Sequence, residues 1–401
     1  MSERRAQHPT RPDISLMDGR FYADDPHEHF RWMREHAPLY WDETAGVWGV
    51  TRHADLMACS KNSETFCNRF GMRPDSPAIP SMINFDGDYH KRRRNLVNRG
   101  FTPRRVADHE EKIRGICVAL IERALEKGRV DFVGEVAAPL PMIVIGDMLG
   151  VAEEDRDDLL RWSDDLVSGL SLSAPPEALA AAGRAADEYF QYCNRVIADR
   201  RAKAPGQDLM SILVHAEIEG EKLDNEALRQ ESLLILVGGD ETTRHVITGG
   251  MYQLLRHPDQ MLRLAADPKA IPTAVEEMLR WVTPIQNMSR TLTRDIELHG
   301  QRVAEGDKLL LLYPSGNRDE RVFDEPYRFD TERDPNPHLA FGGYGAHFCL
   351  GSSLARLELR VMFEELVARV GKVALVDDVR PRYRNSNFIT GIEEMHVDFG
   401  R

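Results

Sequence analysis

Cysteine is scarce in this chain: 401 residues hold five, at 59, 67, 117, 193 and 349, with no CxxC pair and an odd total. That argues against a disulfide framework or a zinc site of the CxxC type and suits a reducing cytoplasm. Long apolar runs are missing as well. The polar opening MSERRAQHPTRPDISL contains no signal-peptide core, and the most apolar later stretch, Val136 to Val151, is broken by Pro139, Pro141 and Asp147. No membrane anchor is therefore expected. Positive charge is in deficit: 52 Lys and Arg against 65 Asp and Glu leave −13, which argues against nucleic-acid binding. Without an internal repeat, a low-complexity tract or a Gly/Ser linker, residues 1–401 read as a single domain.

What is present is ordinary globular material, 42% hydrophobic and 29% charged, in a chain long enough to hide a large ligand. Tyr40 and Trp41 face Val47–Val50 across Asp42–Gly46, as in a hairpin. Residues 68–88, rich in Pro, Gly and Met, read as a long binding loop. From residue 103 onward helix signals dominate: Pro103 opens one helix, Gly128 closes another, and Glu153–Leu170 is amphipathic. Asp224 can cap a helix from Asn225 to Arg256, roughly 45 Å long and ended by Pro258. Residues 296–298 and 308–312 resemble a small hairpin region, and a last long helix begins near Leu350. The expected fold class is mainly α, a large helical part (about 85–282 and 350–372) beside small β-rich pieces (about 35–66, 285–315 and 375–400).

The most informative stretch is Phe341-Gly342-Gly343-Tyr344-Gly345-Ala346-His347-Phe348-Cys349-Leu350-Gly351. Its glycines permit positive φ and close backbone approach, so several N–H groups can converge on one atom. Cys349 falls at a helix start, where N–H groups and the dipole favour thiolate, and Gly351 leaves room beside it. A lone cysteine in such a turn is most often inert and buried. A Cys–His catalytic pair is a poor fit, because His347 lies two residues away on the same turn. A phosphate loop fits less well still, since no Gly-Lys-Ser/Thr follows.

In the middle of the long helix, Gly238, Gly239, Asp240, Glu241, Thr242 and Thr243 follow one another. Two interior glycines cost about 1 kcal/mol each relative to alanine, so they read as an interruption kept for a groove or a ligand. The Thr242 hydroxyl can reach the Gly238 carbonyl and loosen the ladder there.

The string around Cys349, with NRD, FDEPYRFD, NPHLAFG and LARLEL near it, resembles the haem-thiolate region of bacterial cytochromes P-450. Phe341 stands eight positions before Cys349, one more than in most bacterial members. The resemblance implies the P-450 fold, a haem b cofactor and Cys349 as the axial iron ligand, with Phe341, Gly351 and Gly238 beside the haem. It further implies that Thr242 supports bound oxygen, that Glu241 relays protons, and that oxygen plus electrons drive the reaction. Asp240 receives no role. His90, Arg94, Arg290 and His347 match positions that hold the haem propionates. Glu277 and Arg280 match a buried scaffold pair, joined by Arg328.

AAPLPMIVIGDMLGV, LLILVGGDETTRH and MRPDSPAIPSMI also resemble the bacterial steroid side-chain hydroxylases, which attack a terminal methyl of cholesterol or cholest-4-en-3-one. Terpenoid or methyl-branched fatty acid comes next as substrate. Met72, Ile79, Met82, Ile83 and Phe85 of the long loop are expected to line the pocket. Leu234, Val237 and Gly238 of the long helix join them, with Ile285, Met288 and Phe388. The implied partners are O2 and a ferredoxin fed by a ferredoxin reductase and NAD(P)H. Arg92, Arg93 and Arg104 are the expected ferredoxin-docking residues. Two readings from other classes stand beside this one, a haem-based sensor or ligand carrier without turnover and a helical lipid binder without haem.

Overall fold

The computed structural model describes residues 8–169, 174–218, 220–377 and 379–400; Leu170, the end of one expected helix, lies outside them. The Asp224 carboxylate accepts from the Ala227 N–H at 2.8 Å and opens a helix that runs unbroken over Asn225–Arg256. Every residue from Thr243 to Met251 is buried, so this half of the helix has no solvent face and forms the axis of the molecule. Pro139–Leu149, Arg156–Ser168, Pro176–Ala202, Ile271–Val282 and Ser352–Arg369 all pack on it. Close approach is built in at Gly249 and Gly250, where an added methyl would stand 2.6 Å from Val282 and 2.8 Å from the Met278 sulfur.

Helix dominates, as expected, and the β structure is small. One sheet runs in the order Leu39–Asp42, Val47–Val50, Lys308–Leu312, Asn287–Leu292, Phe66–Cys67. Only the Val47–Val50 and Lys308–Leu312 pair is parallel, with Leu310 opposite Gly49. The segment 375–400 is less sheet-like than its sequence suggests. It supplies the short strand His396–Asp398, sandwiched between Ala374–Leu375 and Arg129–Asp131, and the last of these comes from within the helical stretch. Between them the chain is mostly irregular, tied by single bridges such as Ile285 to Ile389, which brings it against the pocket.

Glu277 and Arg280 are both fully buried, one turn apart on Ile271–Val282, and joined by two hydrogen bonds of 2.7 Å. Arg280 also donates to the carbonyls of Asn317, Pro326 and Arg328. The pair thus organises the loop that leads to the cysteine turn. Arg328 does not join it through its side chain, which is 58% exposed and pairs with Glu325 and Asp330. The third charged member is Arg333, whose Nε stands 3.2 Å from Glu277. The resemblance pointed to Arg328; the turn at 330–333 delivers the later arginine instead.

Removing one partner of a buried pair leaves the other charge uncompensated. Arg280→Met is therefore expected to cost about 3–5 kcal/mol, read as a lower denaturant midpoint, while Arg328→Ala leaves the midpoint where it was. Equal losses in the two variants would contradict this assignment.

Candidate active site

The cysteine turn is closed by its own backbone. The Cys349 N–H donates to the Phe341 carbonyl at 3.0 Å and the Phe348 N–H to the Gly345 carbonyl at 3.0 Å. The extra residue between Phe341 and Cys349 is absorbed in the turn, where Gly342 has φ +89° and Tyr344 φ +55°. Phe341 thereby still reaches the cysteine. Its ring is buried under the Arg356 guanidinium, 4.6 Å away, and edge-on to Phe348. Gly343 and Gly345 serve a different need. A methyl on Gly343 would lie 2.4 Å from the Ser60 hydroxyl, and one on Gly345 1.8 Å from the Ser60 carbonyl oxygen. The turn is wedged against the end of the helix His53–Lys61.

Cys349 precedes the helix Ser352–Arg369 rather than starting it at Leu350. Burial pushes its thiol up, and the backbone N–H groups of Gly351 and Ser352, with Arg94 and Arg356, pull the other way. Burial wins, so the helix-start donors alone do not make the thiolate that sequence reasoning expected. A bound cation would reverse that balance.

Across the cavity lies the central helix. Its two glycines do not interrupt it; they divide the work. Gly238 faces open space, whereas a methyl on Gly239 would press on Ile145 at 3.0 Å. The Thr242 hydroxyl donates to the Gly238 carbonyl at 3.0 Å, as its spacing predicted. Glu241 points elsewhere: it is fully buried and does not line the cavity. It pairs with Arg384 and Arg244, each at 2.5 Å, with His245 at 3.6 Å. Burial opposes its charge, but His245, Arg384 and Arg244 together hold its carboxyl well below the ordinary range. Arg244 continues to Asp164 at 3.0 Å and Arg384 to Glu393 at 3.8 Å, both partly exposed, so the network reaches solvent on two sides.

Two further acids escaped sequence reasoning in their spatial roles. Asp240 is fully buried with neither oxygen hydrogen-bonded, and burial, reinforced by Glu241, pushes it up to about 8. Glu358 lines the cavity from the post-cysteine helix and is driven well above its usual range by burial and by Asp240. The LARLEL string already placed an acid among apolar residues, the one available signal for Glu358.

The cavity holds about 1610 Å³ of empty space, including its mouth, between the cysteine turn and the central helix. His90, Arg94, Arg290 and His347 line one side of it together. The two imidazoles lie 4.2 Å apart, each with Nε2 unpartnered, and His347 is pushed down to about 2 by burial and by Arg290, His90 and Arg94. Asp86 stands 4.0 Å from His347. One carboxylate beside four such groups leaves donors to spare for an anion. With the sulfur of Cys349 at the wall and no side chain on Gly351, these residues fit a flat, dianionic haem.

Most of the expected pocket residues are where the sequence put them: Met72, Met82, Ile83, Leu234, Val237, Gly238, Ile285, Met288 and Phe388 all line the cavity. Ile79 does not; it packs behind Met72 and Phe388. Phe85 turns away to pack, tilted by 58°, against Tyr89, 4.6 Å off. Ile145, Val246 and Leu279 line the cavity without having been singled out, because only helix packing aims them there. Of the expected docking residues, Arg92 and Arg104 are exposed, but Arg93, next to Arg92 in the basic block Lys91–Arg94, is turned inward over Phe85 and Tyr89 towards Glu231.

The family model described as Cytochrome P450 matches residues 160–393. A steroid C26-monooxygenase of Mycobacterium tuberculosis is 48% identical over 391 residues, covering 97% of each chain. A methyl-branched lipid omega-hydroxylase of the same organism is 37% identical, covering 96% of this chain and 94% of the relative. The crystal structure of a Bacillus megaterium cytochrome in complex with testosterone superposes with a TM-score of 0.85 at 31% identity, covering 94% of this chain and all of that one.

A methyl at Gly345 collides with backbone, whereas one at Gly351 meets no protein atom. Gly345→Ala is expected to cost about 1–3 kcal/mol, seen as a lower thermal midpoint. Gly351→Ala should leave the midpoint of haem-free protein unchanged and reduce haem bound per chain, measured by haemochrome absorbance. Full haem loading of Gly351→Ala would count against the site described.

Proposed function

The chain belongs to the cytochrome P450 family, and from that premise we propose that it is a class I monooxygenase hydroxylating the terminal methyl of a steroid side chain. Cholesterol or cholest-4-en-3-one is the substrate of this reading, O2 the oxidant, and a ferredoxin, reduced by a ferredoxin reductase and NAD(P)H, the electron donor. Haem b, when bound, supplies oxygen reduction and the capacity to break an unactivated C–H bond. Cys349 would hold its iron, and His90, Arg94, Arg290 and His347 its propionates, with Phe341 and Gly351 beside it.

The observation that carries the reading is the wall facing Cys349. Met72, Ile83, Val237, Ile285, Met288 and Phe388, from several separate segments, enclose it with apolar surface. Such a wall excludes water and orients a saturated molecule by shape, so selectivity lies in which carbon it presents. The Thr242 hydroxyl, on the same wall, can hold a water and pass a proton into the cavity. Glu241, once it leaves Arg384, can take up a proton from solvent on its own carboxylate and release it on the Thr242 side. Burial makes Asp240 and Glu358 hold their protons more firmly than an ordinary carboxyl, which limits the charge they bring to the cavity.

The steroid assignment draws support from the relatives named for steroid oxidation; the methyl-branched lipid relative makes a branched fatty acid the second reading. The five cysteines are all free, and among the described residues no helix is long and apolar enough to cross a membrane. Both features suit a cytoplasmic enzyme acting as one domain over residues 1–401.

In a spectral titration of the ferric protein, cholest-4-en-3-one should displace water and bind more tightly than a branched fatty acid, and reconstituted turnover should yield the terminal alcohol. Tighter binding and turnover of the fatty acid would favour the second reading. Thr242→Ala should retain haem but lower product per NADH several-fold, the missing electrons appearing as peroxide; unchanged coupling would remove the role given to Thr242. Charge reversal at Arg92 and Arg104 should slow ferredoxin-dependent reduction at low salt and matter less as ionic strength rises. A rate indifferent to both would dismiss that docking surface.

A further inference from the structure

Glu231 is a buried acid that the reaction does not use. It lies on the central helix one turn before Leu234 and Ile235, which line the cavity, and it is fully buried. One carboxylate oxygen accepts from the Met82 backbone N–H at 3.0 Å, and the other has no hydrogen-bond partner. Arg93 is the charged group facing it, at 3.8 Å. That guanidinium is only 11% exposed, lies over Phe85 and Tyr89 at 5.6 Å from each ring, and donates to the Tyr89 hydroxyl.

The segment these groups hold is the short turn Met82–Asn84, whose Met82 and Ile83 side chains form part of the cavity wall. Among the described residues the other side-chain hydrogen bonds of this segment are local. Asn68 donates to the Ile83 carbonyl, Asn84 to the Ile79 carbonyl, and Asp86 accepts from the backbone of Asn68 and Arg69. They shape the loop, and apolar packing of Ile83 in one cluster with Val237 gives it contact with the central helix but no polar tie. The Met82–Glu231 bond makes that tie. A carboxylate there is expensive: burial pushes it up to about 7 against the pull of Arg93, and a leucine would bury more cheaply. Protonated or not, a carbonyl oxygen remains to accept from Met82, so the tie survives either state.

We propose that Glu231 is a positioning residue: through the Met82 N–H it fixes the Met82–Asn84 turn against the central helix and so sets how tightly the cavity grips what it binds. The inference rests on reading this cavity as the substrate pocket, but not on the substrate being a steroid.

The test compares Glu231→Gln, which keeps an acceptor for Met82 but no charge for Arg93, with Glu231→Leu, which keeps neither. Two spectral probes of the haem-loaded protein are titrated, a bulky N-aryl imidazole that fills the cavity and imidazole itself, which does not need the loop. Cholest-4-en-3-one is the third arm, followed by steady-state turnover. Glu231→Leu is expected to weaken the bulky azole and the steroid about tenfold and to raise KM with kcat little changed, while imidazole binding stays as in the wild type. Glu231→Gln should restore both affinities to within about twofold. Unaltered azole binding in Glu231→Leu, or equal weakening in the two variants, overturns the proposal. Wild-type protein that binds the azole but not the steroid defeats the steroid reading and leaves this one to be decided by the azole. Should Glu231→Leu fail to hold haem, Met82→Pro, which deletes the N–H, is compared with Met82→Ala, which deletes only the side chain. Equal azole affinity in those two also overturns it.

Discussion

The Cys349 sulfur is held in place by backbone contact between segments far apart in sequence. Gly343 and Gly345 approach Ser60 so closely that neither can carry a side chain, and the turn they form is closed by the Cys349 N–H on the Phe341 carbonyl. Positive φ at Gly342 and Tyr344 takes up the additional residue, so a longer turn still sets Phe341 beside the cysteine. The loop leading into that turn is in its turn organised by Arg280, whose donors reach three carbonyls while Glu277 neutralises it. Disturbing either contact moves the sulfur, and with it the floor of the cavity.

Charge around the cavity is distributed in an instructive way. On one side, His90, Arg94, Arg290 and His347 gather positive and donor groups with little to balance them, a state that only an anionic ligand relieves. On another, burial outweighs the pull of Arg244 on Asp240 and pushes both Asp240 and Glu358 up, so these acids favour the protonated form. Between these extremes Glu241 is over-supplied with cations and stays ionised. Three carboxyl groups in one region thus divide between two states, each decided by its partners and not by its residue type. Thr242 lines the cavity one residue after Glu241, whose carboxylate is held away from it by Arg244 and Arg384.

Much of this was legible in the residues. Asp224 and Pro258 bound the central helix where local chemistry says they should, and the Thr242 bond to Gly238 follows from a spacing of four. The glycine turn announced an unusual cysteine, and the apolar inventory of the long loop and long helix named most of the wall. What the residues left open was the direction of side chains. Arg328 and Arg333 both lie on the loop that Arg280 holds, and only the fold of the turn between them brings Arg333 to Glu277. Arg93 shares a basic block with Arg92, yet faces the opposite way because a helix rotates adjacent residues by about 100°. Ile79 and Phe85 are as apolar as Met82 and Ile83, and the turn between them decides which pair meets the cavity.

By itself the sequence determined the helical class, the glycine turn around Cys349 and the Thr242–Gly238 bond, because each rests on short-range geometry: periodicity, caps, glycine freedom and four-residue spacing; the roles of Cys349, Thr242 and Glu241 came from the resemblance. Only the tertiary structure decided that Glu241 is bound to Arg244 and Arg384 while Thr242 meets the cavity, that burial pushes Asp240 and Glu358 up, and that Glu231 reaches Met82. Those outcomes depend on desolvation and on which distant groups share a small volume, and no local pattern encodes either.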